Sequence, residues 1–136
     1  GETVLLQLRP VDPRAFMQGD FMVLRYSTDV LPDPGANQSA SGKAILTLDE
    51  NRAGVFNRVD DGTPLGDNEI RINFTRVFRG EKSYGGERFF FQEGTAGIFE
   101  DADYGVFKVD KSGRAILVGL AGEDFKILKP ESKPTP

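Results

Sequence analysis

Histidine and cysteine are both absent from the 136 residues of this chain. Ser-His-Asp triads, Cys-His pairs, thiol redox chemistry and ordinary zinc or copper sites all need one of these two residue types. Their absence excludes those classes of enzyme and metal protein for this chain. A chain of this length can still bury a hydrophobic core without disulfides or a structural metal ion, and it predicts one domain.

A dense basic patch is also missing. The 17 basic and 21 acidic residues give a net charge of −4. Arg71, Arg76 and Arg79 come closest to a cluster, but apolar residues separate them at strand spacing, and Glu81 and Glu87 follow. Binding to nucleic acid depends on clustered Lys and Arg that face phosphates. We therefore expect no nucleic-acid partner.

No apolar run approaches the roughly 20 residues that a membrane-spanning helix needs. We therefore expect the chain as given to be a soluble domain. It begins with Gly1 rather than Met, which suggests that an upstream signal or membrane anchor has been removed.

Short apolar segments separated by Gly and Pro predict a mainly β fold. We expect an antiparallel sheet, arranged as a sandwich or a partly open barrel, with one short helix near 95–102. Residues 1–129 should form a single β-rich domain, followed by a disordered Pro-rich tail over 130–136. The predicted strands are 3–9, 21–26, 43–48, 55–59, 69–78, 88–92, 105–109, 114–120 and, at an edge, 125–128.

The remaining segments join these strands. Residues 29–41 carry Pro, Gly and a polar run and predict a long loop. Thr95 is the expected N-cap of the short helix, with Ile98 and Phe99 facing inward. The turns at 49–52 and 111–113 predict two hairpins.

The most informative segment is 12–26, which joins an unusual turn to a strand. Pro13 fixes its own φ, and the Asp12 carboxylate can accept backbone N–H groups of the turn. Gly19 then supplies backbone freedom where the strand begins, and Asp20 can satisfy donors at that junction.

Side chains alternate along the strand that follows. Met22, Leu24 and Tyr26 therefore share one face, and 21, 23 and 25 share the other. Both faces carry apolar residues, so this pattern predicts a central strand that is covered on both sides.

This segment resembles the GDYxxLxY family of membrane-anchored, functionally uncharacterised bacterial proteins. The residues that match the family signature and its usual lead-in are Gly19, Asp20, Leu24 and Tyr26, preceded by Asp12, Pro13 and Arg14. The segments 89–95, 104–105 and 109–115 are also similar to that family, so the resemblance covers most of the chain. It implies one N-terminal membrane helix, with this domain on the periplasmic or extracellular side. Phe21 stands where the signature has Tyr, which favours packing over chemistry at that position.

A second resemblance concerns the strand that follows Gly19 and Asp20. It is similar to the Gly-Asp strand of signal-peptidase-like serine proteases, which use a Ser-Lys dyad and need no histidine. Their nucleophile lies shortly before the Gly-Asp pair, but no serine precedes Ser27 in this chain. The resemblance implies a hydrolase relic that shares the β architecture and lacks the nucleophile.

Two groups of carboxylates were weighed as sites. Asp60 and Asp61, or Asp29 with Asp33, could supply oxygen ligands to calcium, but their spacing fits no EF-hand loop and turn formation explains them. A second group, Glu93, Glu100, Asp101 and Asp103, could include an acid and a base for glycoside hydrolysis. Solvation of a helix surface accounts for the last three. We expect neither a metal site nor a cofactor.

The function that these observations favour is a non-enzymatic module that binds or supports a protein partner, plausibly an integral membrane protein. Its candidate binding residues are Arg14, Asp20, Arg25 and Tyr26, since charge and an aromatic ring are enriched in interfaces. The alternative for these residues is local: Asp20 caps the turn, Arg14 covers it and Tyr26 packs in the core.

A second hypothesis is a small-molecule or glycan-binding domain. Its site would be a mouth of the sheet lined by Tyr84, Phe89 and Phe91. The alternative for these three rings is core packing. A pocket with convergent polar groups would favour a ligand, and a flat exposed apolar patch would favour a protein partner. The sequence leaves the partner, the ligand, the strand order and the oligomeric state open.

Overall fold

The structure is a computed structural model and describes residues 1–10, 21–32, 41–76, 82–92 and 94–129. These residues form a mainly β domain, as the sequence predicts. Within the described residues the strands are β1 (Glu2–Gln7), β2 (Phe21–Val23), β3 (Ser41–Leu48), β4 (Gly54–Val59), β5 (Glu69–Arg76), β6 (Lys82–Ser83), β7 (Arg88–Phe90), β8 (Tyr104–Val109) and β9 (Ala115–Ala121).

All strand pairs inside the sheets are antiparallel. One sheet has the order β1-β8-β9, and a larger one has the order β4-β3-β5-β6. The third is a two-stranded ribbon of β2 and β7. The hairpins β3–β4 and β8–β9 are those that the sequence predicts, and β1 pairs with β8 across most of the chain.

Hydrogen bonds link the two larger sheets, and the β structure includes a sheet curled into a half-barrel. At one end the amide of Leu5 donates to the carbonyl of Arg52 at 2.8 Å. At the other end the amide of Asn73 donates to the carbonyl of Gly113 at 2.8 Å, and Lys43 Nζ donates to the carbonyl of Ser112 at 2.6 Å. The partly open barrel is therefore the observed form of the predicted fold class.

The concave side of the half-barrel holds the hydrophobic core. Alternate residues of β5 are buried there, namely Ile70, Ile72 and Phe74, while Arg71 and Asn73 lie on the outer face. This is the alternation that the sequence predicts for the strand. The core cluster also takes residues from β3, from the other two sheets and from the segment after β2: Leu46, Val4, Leu6, Met22, Phe107, Leu120, Leu24 and Tyr26.

Aspartates fix the two main hairpin turns. Asp49 Oδ1 accepts the amides of Asn51 and Ala53 at 2.8 and 2.9 Å. Asp110 Oδ1 does the same for Ser112 and Arg114 in the β8–β9 turn. These side chains mimic backbone turn partners, which is why Asp is frequent in such turns.

Two predicted elements differ from the structure. The helix expected near 95–102 is only a 3-10 turn over Ala96–Phe99, and Thr95 Oγ1 donates to the carbonyl of Gln92 at 2.6 Å instead of capping it. Gly97 disfavours a longer helix at this point, and Phe99 already secures the turn to the core. The edge strand predicted over 125–128 is reduced to a single bridge between Ile127 and Ala121.

Several predictions fall on residues outside the described ranges. These are the end of the predicted strand at 77–78, most of the predicted loop at 33–40 and the tail at 130–136. Within the described ranges, no helix combines the length and apolar character that crossing a bilayer requires.

Candidate interaction surface

The β2–β7 ribbon is the part of the fold that the signature segment builds. Phe21 pairs with Phe90, Met22 with Phe89 and Val23 with Arg88. The ribbon is attached to β1 because Tyr26 bridges Leu8 just beyond the end of β2. One face of the ribbon therefore lies on the core, and the other points away from it.

The inner face of the ribbon is fully packed. Met22, Leu24 and Tyr26 are buried, as the predicted alternation requires. Phe89 lies on the same face and meets Phe99 edge-on, with ring centroids 5.0 Å apart. The structural role predicted for Leu24 agrees with its position in the core.

The outer face is exposed, so the prediction of a central strand covered on both sides is wrong. We call this surface the ribbon face; it consists of Phe21, Val23, Arg25, Arg88 and Phe90. Phe90 is 67% exposed and Val23 is 52% exposed. The side chains of Val23 and Phe90 therefore meet solvent, while Phe21, which pairs with Phe90, is half-buried.

The aromatic rings of the ribbon face contact each other and a cation. The centroids of Phe21 and Phe90 are 5.6 Å apart. The guanidinium carbon of Arg88 lies 5.5 Å from the centroid of Phe21, within the range of a cation–π contact. Phe21, which replaces the signature Tyr, thus has a packing role, but at the surface rather than inside a covered strand.

The two arginines of the ribbon face differ from those of the larger sheets. Arg58 Nη1 lies 2.7 Å from Glu69 Oε2, and Arg71 Nε lies 2.7 Å from Asp60 Oδ2. In the described part of the chain, neither ribbon-face arginine makes an ion pair. The ribbon face therefore presents positive charge that the described carboxylates do not neutralise.

The backbone of β7 adds a second feature to this surface. The amide of Leu24 donates to the carbonyl of Glu87 at 2.8 Å, and Met22 stands opposite Phe89. In an antiparallel pair, residues that hydrogen-bond to the partner strand alternate with residues that do not. The N–H and C=O groups of the second kind point away from the partner strand, toward the outer edge of the ribbon. Arg88 and Phe90 occupy the latter positions, and no described strand pairs with that edge of β7.

Of the predicted binding residues, the structure describes only Arg25 and Tyr26, and their side chains lie on opposite faces. Arg25 is exposed, but its neighbour Tyr26 is only 4% exposed and points into the core. A buried ring cannot meet a partner at the surface, so the packing alternative describes Tyr26. Asp12, Pro13, Arg14, Gly19 and Asp20 lie outside the described residues.

Tyr26 has a defined structural bond instead. Its hydroxyl donates to the carbonyl oxygen of Gly86 at 2.7 Å. Burial, with a smaller contribution from the nearby carboxylate of Glu87, raises the pKa of this hydroxyl. The neutral phenol is therefore the form that the fold selects.

The aromatic mouth predicted from Tyr84, Phe89 and Phe91 does not form. Tyr84 is 5% exposed and donates its hydroxyl hydrogen to the carbonyl of Val30 at 2.6 Å. Phe89 and Phe91 are half-buried and both pack against Phe99. The alternation that makes Phe90 exposed turns its two neighbours toward the core.

The acidic groups weighed as calcium or catalytic sites serve the turns. Asp60 Oδ1 accepts the amide of Gly62, and Asp61 Oδ1 accepts the amide of Thr63. The amide of Gly62 is the main cause that holds the pKa of Asp60 below the usual range. For Asp61 the main cause of the lowered pKa is the hydrogen bond from the Thr63 side chain, followed by that from the Thr63 amide. No group of three or more acidic side chains suited to a metal ion occurs within the ranges that the structure describes.

The other carboxylates show no such convergence. Glu100, Asp101 and Asp103 are exposed around the 3-10 turn, as expected for solvated side chains. Asp33 and Glu93 lie outside the described residues.

Ser83 is a buried hydroxyl that the sequence analysis did not single out. Its Oγ donates to the carboxylate of Glu87, with distances of 2.5 and 2.6 Å to the two oxygens, and accepts the amide of Gly85. Lys82 precedes it on β6, so the two side chains point to opposite faces of the strand. Ser83 is 2% exposed, and this arrangement gives a substrate no access to it.

Sequence reasoning missed Val23, Arg88 and Phe90 as surface residues. The alternation from 21 to 25 already separates the ribbon face from Tyr26. What the pattern could not show is which of two apolar faces is covered, because that depends on the neighbouring sheets.

The fold and this surface define a class: an antiparallel half-barrel domain with an exposed aromatic and arginine-bearing ribbon. The GDYXXLXY protein family matches residues 1–120, and the chain belongs to that family. A search of the curated proteins and of the solved structures found no match.

Proposed function

We propose that this domain is a non-enzymatic protein-binding module and that the ribbon face is its contact surface. The observation that carries the proposal is the exposure of Phe90 on a face that also bears Arg88 and Arg25, neither of which makes an ion pair in the described part. Aromatic residues and Arg are the types most enriched at the energetic centres of protein interfaces.

The surroundings of Phe90 support a protein contact over a ligand pocket. Phe21, Val23 and Phe90 form an apolar area at the surface, while the rings of Tyr84 and Phe89 are turned into the fold. Flat apolar patches with a polar rim are typical of protein interaction sites. A small ligand would need a concave site with convergent polar groups.

The absence of an enzymatic role is part of the same proposal. The chain contains no histidine or cysteine, and no serine precedes Gly19 where a Ser-Lys protease would need its nucleophile. The hydroxyl of the buried Ser83 donates to the carboxylate of Glu87.

We further propose that the domain acts on the outer side of a membrane, tethered by an N-terminal anchor, with an integral membrane protein as its partner. The support is the resemblance of the signature segment to the bacterial family described above. Membership of the GDYXXLXY family is consistent with this placement.

Site-specific photo-crosslinking tests the contact surface. A photoreactive amino acid replaces Phe90 in the full protein, and the matched control carries it at Val55, which is 50% exposed on β4. We expect position 90 to yield a discrete protein adduct that position 55 does not yield. Equal labelling from both positions, or no adduct from position 90, would refute the proposed surface.

A further inference from the structure

We propose that the partner offers an extended segment that adds as a strand to the outer edge of β7 and carries carboxylates toward Arg88 and Arg25. This inference rests on the proposed function, because it states how the ribbon face would hold a protein. It concerns the chemistry of the partner and the geometry of the contact.

The first support is the outer edge of β7, with which no strand of the described ranges pairs. The N–H and C=O groups of Arg88 and Phe90 point away from β2, according to the pairing of Leu24 with Glu87. An extended peptide satisfies such groups by pairing as an additional strand, and pockets or patches for alternate side chains then provide specificity.

The second support is the side-chain pattern of the ribbon face. The outward residues of β7 are Arg88 and Phe90, and they are flanked by Val23 and Phe21 on β2. An added strand would place its own outward side chains beside this row. Apolar residues of the segment would cover Phe90, which is 67% exposed.

The third support is charge. The chain has a net charge of −4, yet the ribbon face carries two arginines and no acidic side chain. The guanidinium of Arg88 lies over the ring of Phe21, which limits the conformational freedom of the arginine side chain. Its N–H groups can then donate to a planar acceptor such as a carboxylate. Carboxylates are the complementary group on a protein segment.

The short edge sets the strength of the contact. β7 has three residues, so only a few backbone hydrogen bonds can form. Side-chain contacts to Phe90 and Arg88 must then supply most of the selectivity. We expect a weak and reversible complex, with a Kd in the range of about 1 to 100 µM.

A selection from a display library of random 12-residue peptides tests the inference on the full domain. We expect enrichment of peptides that combine a carboxylate with apolar residues at alternating positions. Binding of the selected peptide should weaken about tenfold or more in Arg88→Glu and Arg25→Glu. Arg114→Glu, an exposed charge reversal in the β8–β9 turn, is the matched control and should bind as the unmodified domain does.

A second measurement addresses the backbone. Two versions of the selected peptide are compared, one N-methylated at the odd-numbered amides and one at the even-numbered amides. Only every second amide of an added strand faces the edge of its neighbour. One version should therefore lose binding and the other should retain it. Equal tolerance of both versions would overturn strand addition. Enrichment of peptides without carboxylates would overturn the predicted partner chemistry.

The outcomes separate this inference from the proposed function. A protein adduct at position 90 that persists in Arg88→Glu would overturn the inference and leave the protein-binding role intact. Absence of both the adduct and any selected peptide would overturn both. Flotation with phosphatidylglycerol vesicles that depends on Arg25 and Arg88 would assign the ribbon face to a membrane. Self-association that is lost in Phe90→Ser would assign it to a second copy of this chain. Either result would overturn the inference.

Discussion

The hydroxyl of Tyr26 donates to the carbonyl oxygen of Gly86 at 2.7 Å, across 60 positions of the sequence. The same ring lies on Phe107, with centroids 5.8 Å apart. One side chain therefore connects the signature segment, the turn before β7 and the centre of the larger core. The last residue of the family signature is in this way a structural residue.

Replacement of Tyr26 by Phe should destabilise the domain by about 1 to 3 kcal/mol, because the buried carbonyl of Gly86 loses its donor. Urea denaturation followed by fluorescence measures the change. Tyr104→Phe is the control, since that hydroxyl has no hydrogen-bond partner among the described residues, and we expect a change within about 0.5 kcal/mol. Equal effects of the two substitutions would contradict the role assigned to Tyr26.

Close packing around Tyr26 predicts a second effect. A Cβ atom at Gly105 would lie 2.7 Å from the Tyr26 hydroxyl oxygen, whereas one at Gly97 would meet nothing within 4 Å. Gly105→Ala should therefore cost about 1 to 3 kcal/mol through overpacking. Thermal unfolding should show the loss for Gly105→Ala and a near-neutral result for Gly97→Ala.

The assignment of the two faces of β7 predicts opposite results for neighbouring phenylalanines. Phe89→Ala should lose about 2 to 4 kcal/mol, because its ring packs on Phe99. Phe90→Ala should lose less than about 1 kcal/mol, since only its cross-strand contact with Phe21 is removed. Chemical denaturation of both variants checks the difference, and a larger loss at Phe90 would reverse the assignment.

Acid should weaken the side-chain contact between β4 and β5, which lie on either side of β3. Glu69 accepts hydrogen bonds from Arg58, the amide of Gly66 and Asn57, and the bond from Arg58 is the main cause that holds its pKa below the usual range. The folded state thus favours the ionised carboxylate. Its contribution is present above the unfolded pKa of about 4.3 and is lost as the pH falls through the lower folded value.

The measurement is the midpoint of thermal unfolding as a function of pH. We expect Glu69→Gln to reduce the loss of stability between about pH 5 and pH 2. Glu50→Gln, at an exposed turn position, should retain the pH profile of the unmodified domain. A steeper acid dependence in Glu69→Gln would show that the sign of this effect is wrong.

The sequence predicts most strands because alternation and turn residues act locally. The alternating pattern of β5 and the turns predicted at 49–52 and 111–113 depend on neighbours in sequence, and the structure confirms them. The two-residue β6 carries no pattern of its own, and the 3-10 turn depends on how Phe99 reaches the core. These elements depend on tertiary contacts that a local pattern does not encode.

The candidate surface was only partly predictable for the same reason. Arg25 was correctly expected to be outside the core, but Tyr26 was grouped with it although the two side chains point in opposite directions. The sequence does not distinguish Phe90 from Phe89 and Phe91, the two half-buried phenylalanines on either side of it. The burial of one face and the exposure of the other depend on which sheets surround the ribbon.

The pairing of β1 with β8 has a consequence for synthesis on the ribosome. Glu2 stands opposite Val109, so β1 has no partner until β8 has been made. During that interval Val4, Leu5 and Leu6 are an apolar segment without its native neighbour. A nascent chain of this protein therefore exposes this segment to non-native contacts until β8 leaves the ribosome.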